Sequence, residues 1–212
     1  MNMSSKHNFF ITGIGTDVGK TVVSAILVEA LQADYWKPIQ AGDIANSDAQ
    51  KVKKLISNQQ SIFHKESYIF QTAASPHIAA ANENCTIDIA KINMPITQNN
   101  LIIEGAGGLL VPLNNDFLMI DFIEKSNAKV IVVVNDYLGS INHTLLSFEA
   151  VEHRGIEVFG YIINGKCSEE IKATFLHFIK YPLLGIVPYQ ENINKNFILE
   201  QSLVFKQILS EK

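Results

Sequence analysis

The strongest constraint on the fold is a set of short, continuous apolar runs separated by longer amphipathic stretches. The runs at 101–104 and 130–134 show no alternation of apolar and polar residues, which is typical of strands buried on both faces of a parallel sheet. The stretches between such runs have the periodicity and length of helices. Together the patterns predict further strands at 9–11, 35–38, 158–163 and 183–187, and helices at 20–31, 46–56, 140–153, 168–180 and 196–209.

This alternation of strands and helices predicts an α/β fold: a doubly wound, mostly parallel sheet with helices on both faces. The length of 212 residues favours a single domain over 1–212. The apolar fraction of 47% supplies enough material for the core of such a chain. The least regular stretch, 71–94, is interpreted as an insertion or a lid.

The charge composition argues against nucleic acid as a partner. The net charge is −4, the charged fraction is 18%, and Arg154 is the single arginine of the sequence. Proteins that grip nucleic acid cluster lysines and arginines to neutralise phosphates. The short run 51–54, with three lysines, is interpreted as a solvated helix face.

The absence of three sequence features predicts a cytoplasmic protein. Cys85 and Cys167 have neither a CxxC partner nor metal-ligand spacing, so we interpret both as ordinary thiols. The segment 1–8 lacks the apolar region of a signal peptide. The sequence also contains no stretch of 18 apolar residues, so we expect no membrane span.

A glycine-rich loop, 13–21, stands between the first predicted strand and the first predicted helix, where a phosphate-binding loop belongs. Unpaired N–H groups and the dipole at a helix start attract phosphate. Lys20 would add a cation for the phosphates, and Thr21 would offer a hydroxyl to magnesium. The general motif puts four residues between its first glycine and Gly-Lys-Thr. Here Gly13 leaves five and Gly15 leaves three.

Candidate magnesium ligands lie at other element ends. Glu104 ends an apolar strand before Gly-Ala-Gly-Gly, a costly place for a charge unless a cation meets it. Asp48 is either a ligand or simply a helix cap. Lys37 ends the second predicted strand, where its ammonium would face developing negative charge in a shared crevice. In parallel sheets, ligands bind outside the carboxyl ends of the strands.

The order of these blocks resembles the dethiobiotin synthetase family. The resemblance includes the five-residue gap in the phosphate loop and covers 9–190, nearly the whole chain. Its blocks are Thr12-Gly13, Thr16 to Thr21, Lys37-Pro38-Ile39-Gln40-Ala41-Gly42, Asn46-Ser47-Asp48-Ala49, Ser75-Pro76-His77, Glu104-Gly105-Ala106-Gly107-Gly108, Leu138-Gly139-Ser140-Ile141-Asn142-His143 and Leu183 to Pro188.

The resemblance implies a P-loop fold and an ATP-dependent ligase of biotin biosynthesis. The family converts 7,8-diaminononanoate, CO2 and ATP to dethiobiotin, ADP and phosphate. A carbamate of the diamine attacks the γ-phosphate, and the second amine closes the ureido ring. The family is a homodimer with the substrate at its interface.

The resemblance also assigns roles by position. The catalytic residues would be Lys37 and Lys20, and the metal ligands for Mg²⁺ would be Thr21, Asp48 and Glu104. The residues expected to bind ATP and its metal are Asp17, Val18, Gly19, Lys20, Thr21, Val22, Asp48, Glu104, Gly105, Ala106, Gly107, Asn164, Gly165, Pro188, Tyr189 and Gln190. Those expected to bind the diamine or its carbamate are Lys37, Ala41, Ser140, Ile141 and Asn142.

The chain departs from the family pattern at three places. Ala41 stands where a serine or threonine is usual, Ile14-Gly15 where Thr-Asp is commoner, and Gly165 where an aspartate usually follows the adenine asparagine. The alternative function is a P-loop nucleotide switch or partitioning ATPase, but those loops usually carry an extra lysine that this loop lacks. A small-metabolite kinase with an arginine-bearing lid is disfavoured by the single arginine.

Overall fold

The computed structural model describes residues 6–210. The expectation that the chain starts without a signal peptide falls largely on 1–5, which lie outside the described residues. No helix of the described part is both long and apolar enough to traverse a lipid bilayer.

Nine strands and seven α-helices make up the described chain. The strands are β1 (Asn8–Gly13), β2 (Asp34–Trp36), β3 (Ile39–Ala41), β4 (Phe63–His64), β5 (Tyr68–Phe70), β6 (Leu101–Glu104), β7 (Lys129–Val134), β8 (Val158–Asn164) and β9 (Leu183–Val187). The helices are α1 (Lys20–Leu31), α2 (Asp48–Leu55), α3 (Pro76–Asn82), α4 (Met119–Ser126), α5 (Ser140–His153), α6 (Glu169–Phe178) and α7 (Lys195–Ser210).

Seven strands form one fully parallel sheet in the order β4-β2-β6-β1-β7-β8-β9. From β1 the chain crosses to β2 on one side, and from β6 it crosses to β7 on the other. Because crossovers are right-handed, α1 and α4 cover opposite faces. This topology confirms the predicted doubly wound α/β fold, and the reversal beside β1 is where such sheets bind ligands.

The core lies on both faces of the central strands. Phe10 and Ile11 of β1 point to opposite faces and are fully buried. Phe10 and Trp36 both meet the Phe122 ring of α4 edge-on, with centroids 6.0 and 6.2 Å away. Burial on both faces explains the unbroken apolar runs of β6 and β7 in the sequence.

Several elements were not predicted from the sequence. The second predicted strand stops at Trp36, and Ile39–Ala41 pairs separately with Tyr68–Phe70 in a two-stranded parallel sheet. The helix Met119–Ser126 was missed, and so was the helix Pro76–Asn82 within the stretch interpreted as an insertion or lid. These elements are short, which leaves little periodicity to detect.

Asp34 joins the edge of the main sheet to its interior. Its buried carboxylate accepts hydrogen bonds from the Ile62 N–H (3.0 Å) and Asn99 Nδ2 (2.9 Å), and it lies 2.9 Å from His64 Nε2. Burial alone would raise the pKa of Asp34, but the hydrogen bonds, with those from Asn99 and Thr97 foremost, hold this pKa below its ordinary value.

The lowered pKa of Asp34 predicts a pH-dependent contribution to stability. This contribution is complete above the unfolded pKa of about 3.9 and is lost as the pH falls through the lower folded value. We expect Asp34→Asn to reduce the free energy of unfolding by about 2 to 3 kcal/mol at pH 7. In urea unfolding, the deficit should shrink below pH 4. An equal deficit at pH 7 and pH 3.5 would contradict this account.

Candidate active site

The phosphate loop connects β1 to α1 at the point where the sheet topology reverses. Gly19, just before the helix, has φ +93°, and a Cβ there would lie 2.0 Å from Asn164 Nδ2. A Cβ on Gly13 would lie 2.4 Å from the Val18 side chain. Asn164 Nδ2 also donates to the Val18 carbonyl at 3.1 Å. The loop therefore has room for glycine only at these two positions.

A cleft of about 790 Å³ opens beside this loop at the carboxyl edge of the sheet. Residues 73–76, before and at the start of α3, form part of its wall. The predicted site residues that line the cleft are Asp17, Gly19, Lys20, Thr21, Lys37, Ala41, Asp48, Glu104, Ala106 and Gly107. The structure thus brings the two predicted catalytic lysines and the three predicted metal ligands together.

The Lys37 ammonium lies between two carboxylates at the floor of the cleft. It donates a short hydrogen bond to Asp48 Oδ2 and another of 3.1 Å to Glu104 Oε1. Burial lowers the pKa of Lys37, but the charges of Glu104 and Asp48 outweigh this effect and raise the pKa above its ordinary value. Lys37 therefore keeps its positive charge although it is 5% exposed.

The position of Asp48 follows from the start of α2. The preceding residue, Ser47, is the N-cap, and its side chain accepts from the Gln50 N–H at 3.4 Å. Gln40 Oε1 in turn accepts from the Asp48 N–H at 3.2 Å. Because Ser47 caps the helix, the Asp48 carboxylate is not needed as a cap and points to Lys37 instead.

Thr21, Asp48 and Glu104 fit a magnesium site. The Thr21 hydroxyl donates to Glu104 Oε1 at 2.8 Å, and one ammonium contacts both carboxylates, so the three side chains are close enough to share a cation. Between residues 6 and 210, no group of three or more His, Cys, Asp and Glu side chains is arranged to hold a metal. Two carboxylates and a hydroxyl suit Mg²⁺, which completes its shell with phosphate oxygens and water.

Lys20 lies in the loop with its ammonium turned inward. Its Nζ donates to the Gly15 carbonyl at 2.8 Å, and the residue is 8% exposed. Burial lowers the pKa of Lys20 to about 8, which the Glu104 charge only partly offsets. A bound polyphosphate would favour the charged form of this lysine.

The lowered pKa of Lys20 predicts that the protein takes up protons when it binds nucleotide. At pH 8.5 we expect ATP binding to take up more than about half a proton, because the neutral fraction of Lys20 becomes charged. Calorimetry in buffers of different ionisation enthalpy measures this uptake. Lys20→Arg is the control, since its guanidinium stays charged and should abolish the uptake. Equal uptake by both proteins would contradict the assignment.

The predicted ATP-binding residues that follow β8 and β9 are not among the residues that line the cleft. Asn164 and Gly165 follow β8, and the Gly165 N–H donates to the Val187 carbonyl at 2.8 Å. Pro188, Tyr189 and Gln190 follow β9, next to β8 in the sheet. The Tyr189 ring is exposed, with Lys166 Nζ 4.9 Å from its centroid. Of this group, the structure shows Asn164 in contact with the phosphate loop.

Ser140, Ile141 and Asn142 are not among the residues that line the cleft. They begin α5 after Gly139, whose φ is +101°. A separate groove of about 330 Å³ runs between α5 and the outer side of the phosphate loop. Its lining is mainly apolar and includes Ile14, Leu109, Leu110, Val111, Leu146 and Ala150. Within one chain, the predicted substrate-binding helix start and the catalytic lysines therefore belong to different surfaces.

Three residues that contact the predicted metal ligands Glu104 and Asp48 were not predicted from the sequence. Tyr35 donates to Glu104 Oε2 at 2.9 Å, and Gln40 holds the Asp48 N–H. Lys51 was expected on a solvated helix face, but it lines the cleft and pairs with Asp43 at 2.8 Å and Asp48 at 3.5 Å. One turn of helix separates Lys51 from Asp48, so this spacing was the available signal.

Comparison with known proteins assigns the chain to a family. A family model described as an AAA domain matches residues 7–196. A protein of Christiangramia forsetii described as ATP-dependent dethiobiotin synthetase BioD is 48% identical over 96% of this chain and 98% of its own length. A protein of Cytophaga hutchinsonii with the same description is 48% identical over 90% and 92%.

The chain belongs to the dethiobiotin synthetase family. This confirms the resemblance drawn from the motif order.

Solved structures show the fold. The septum site-determining protein MinD of Pyrococcus horikoshii, described as complexed with Mg-ADP, superposes with a TM-score of 0.56 at 17% identity, over 98% of this chain and 96% of its own. A plasmid partition protein of Borrelia burgdorferi gives 0.62 at 13% identity, over 99% and 100%. At identities this low the superpositions show a shared fold alone, and the assignment to the dethiobiotin synthetase family rests on the relatives at 48% identity.

Proposed function

We propose that this protein is an ATP-dependent dethiobiotin synthetase, a ligase of biotin biosynthesis. In the proposed reaction, 7,8-diaminononanoate, CO2 and ATP yield dethiobiotin, ADP and phosphate. The observation that carries the proposal is the charged Lys37 held between Asp48 and Glu104 beside a phosphate loop. The two relatives at 48% identity support the same activity.

The first step would make the nucleophile from CO2. One amine of the diamine adds to CO2 and loses a proton, which gives a carbamate anion. A carbamate oxygen then attacks the γ-phosphorus of ATP, and ADP leaves as the mixed carbamic–phosphoric anhydride forms. The buried Lys37 ammonium can pair with the carbamate and with the charge on the transferring phosphoryl group.

The second step would close the ring. The remaining amine attacks the carbamoyl carbon, phosphate leaves with the bridging oxygen and takes up the proton that the amine loses, and the ureido ring is complete. No water takes part in either bond formation. The ring-closing amine belongs to the same molecule as the anhydride, so its high effective concentration favours it over water as the attacking group.

We place ATP along the loop, with its phosphates on the loop amides and Lys20 and its base toward Asn164 and Tyr189. Thr21, Asp48 and Glu104 would hold Mg²⁺, which neutralises phosphate charge when bound. Ala41 lines the cleft without a side-chain donor, so its contact with a carbamate or phosphate would come from the backbone. We also propose a cytoplasmic location for the reaction.

We also propose a homodimer built over the groove between α5 and the phosphate loop. Leu110, Leu138 and Leu146 are each more than half exposed around this region, and apolar patches of this kind mark interaction sites. Pairing would bring the helix start at Ser140, Ile141 and Asn142 toward the partner's cleft, where its N–H groups suit a carboxylate. The continuous core of the chain supports a single domain.

The proposed reaction predicts coupled phosphate release. With ATP and Mg²⁺ present, phosphate should appear only when diaminononanoate and bicarbonate are supplied together, because the carbamate is the acceptor. A continuous phosphate assay with each component omitted in turn measures this coupling. ATP turnover at the same rate without either component would favour a nucleotide switch instead.

Lys37→Ala should separate catalysis from ATP binding. We expect turnover in single-turnover experiments to fall by about a hundredfold or more, while the dissociation constant for ATP changes by less than about threefold. Lys54→Ala is the matched control, because Lys54 is exposed on α2 and its Nζ bonds to Asn46 at 3.2 Å. Weakened ATP binding with normal turnover of the bound complex would make Lys37 a nucleotide clamp.

A further inference from the structure

Tyr35 is a fully buried tyrosine whose hydroxyl reaches the active site from behind. It lies in the middle of β2, where its Cα pairs with Ile102 of β6 on one side and Phe63 of β4 on the other. The ring packs against the Phe63 ring with centroids 5.5 Å apart. Its hydroxyl donates to Glu104 Oε2 at 2.9 Å. A residue that supports the sheet thus also contacts a predicted metal ligand.

The two oxygens of Glu104 have different partners. Oε1 faces the cleft and accepts from the Thr21 hydroxyl and from the Lys37 ammonium. Oε2 accepts from Tyr35, which does not line the cleft. In this contact the phenol is the donor, so Oε2 already has a hydrogen-bond partner behind the site.

We propose that Tyr35 is a positioning residue that makes Glu104 a one-oxygen ligand and so favours Mg²⁺ over Ca²⁺. Magnesium requires near-octahedral geometry and short bonds to single oxygens, whereas calcium accepts both oxygens of a carboxylate. Because the phenol holds Oε2 on the side away from the cleft, Glu104 presents Oε1 to the cleft, where Thr21 and Lys37 meet it. This inference rests on the magnesium site in the proposed function.

Tyr35→Phe tests the inference by removing the hydroxyl while the ring stays in place. We measure free Mn²⁺ by electron paramagnetic resonance, with the full chain and the non-hydrolysable analogue AMP-PNP, and displace bound Mn²⁺ with Mg²⁺ or Ca²⁺. Loss of an outer hydrogen-bond partner weakens metal binding by about 10- to 100-fold. We expect such a loss for Mg²⁺ and less than about threefold for Ca²⁺, which a freed Oε2 can also coordinate.

Tyr161→Phe is the matched control. Tyr161 is also fully buried in the sheet, and its hydroxyl has no hydrogen-bond partner within the described residues. The control should leave both metal affinities unchanged. The melting temperatures of the two variants show whether a loss of metal affinity is specific to the site or reflects a general loss of stability. An equal loss of Mg²⁺ and Ca²⁺ affinity in Tyr35→Phe would overturn the one-oxygen argument.

A double-mutant cycle with Glu104→Gln shows whether Tyr35 acts through Glu104. Adding Tyr35→Phe to Glu104→Gln should change metal affinity by less than about twofold. Substitutions of residues in contact do not have additive effects, and Tyr35 would have no carboxylate left to position. A full further loss would overturn the inference, as would unchanged Mg²⁺ affinity in Tyr35→Phe. If the unaltered protein with AMP-PNP binds no Mn²⁺, the failure lies with the proposed magnesium site instead.

Discussion

The active site depends on one buried arrangement of charge: the Lys37 ammonium between the carboxylates of Asp48 and Glu104. Burying any one of these charges alone would be strongly unfavourable, because only close opposite charges and further hydrogen bonds offset the free energy of desolvation. Thr21 and Tyr35 supply those additional bonds to Glu104. The same arrangement that permits burial also brings a hydroxyl, two carboxylates and an ammonium group together where phosphate would bind.

The parallel sheet brings these groups together from distant parts of the sequence. Lys37 follows β2 and Glu104 ends β6, and these two strands are neighbours in the sheet. Thr21 enters from the loop after β1, on the other side of β6, while Asp48 arrives on α2. Since all seven strands run in one direction, the ends of β1, β2 and β6 lie at the same edge, and α2, which follows β3 of the smaller sheet, brings Asp48 to it. The glycines of the loop then let its backbone approach without a Cβ in the way.

The sequence predicted the sheet, five helices and the floor of the cleft, because these features leave periodic or contiguous signals. The runs of β6 and β7 are apolar throughout as a direct result of burial on both faces. By contrast, α3 has only seven residues, and α4, although as long as α2, lacks the side-chain cap by which Ser47 marks the start of α2. Tyr35 looked like an ordinary strand aromatic, since nothing in its neighbours indicates that its hydroxyl meets a carboxylate 69 positions later. Such contacts depend on strand order, which local patterns do not contain.

The central claim is that a carbamate oxygen attacks the γ-phosphate beside Lys37. Bicarbonate labelled with ¹⁸O tests it directly, because ring closure leaves the bridging oxygen on phosphate. With diaminononanoate and ATP, analysed over a time too short for exchange with water, the account predicts one ¹⁸O atom in each phosphate released. Unlabelled phosphate would contradict the account. If a parallel reaction in ¹⁸O-labelled water with unlabelled bicarbonate then gave labelled phosphate, the phosphate would come from hydrolysis of ATP.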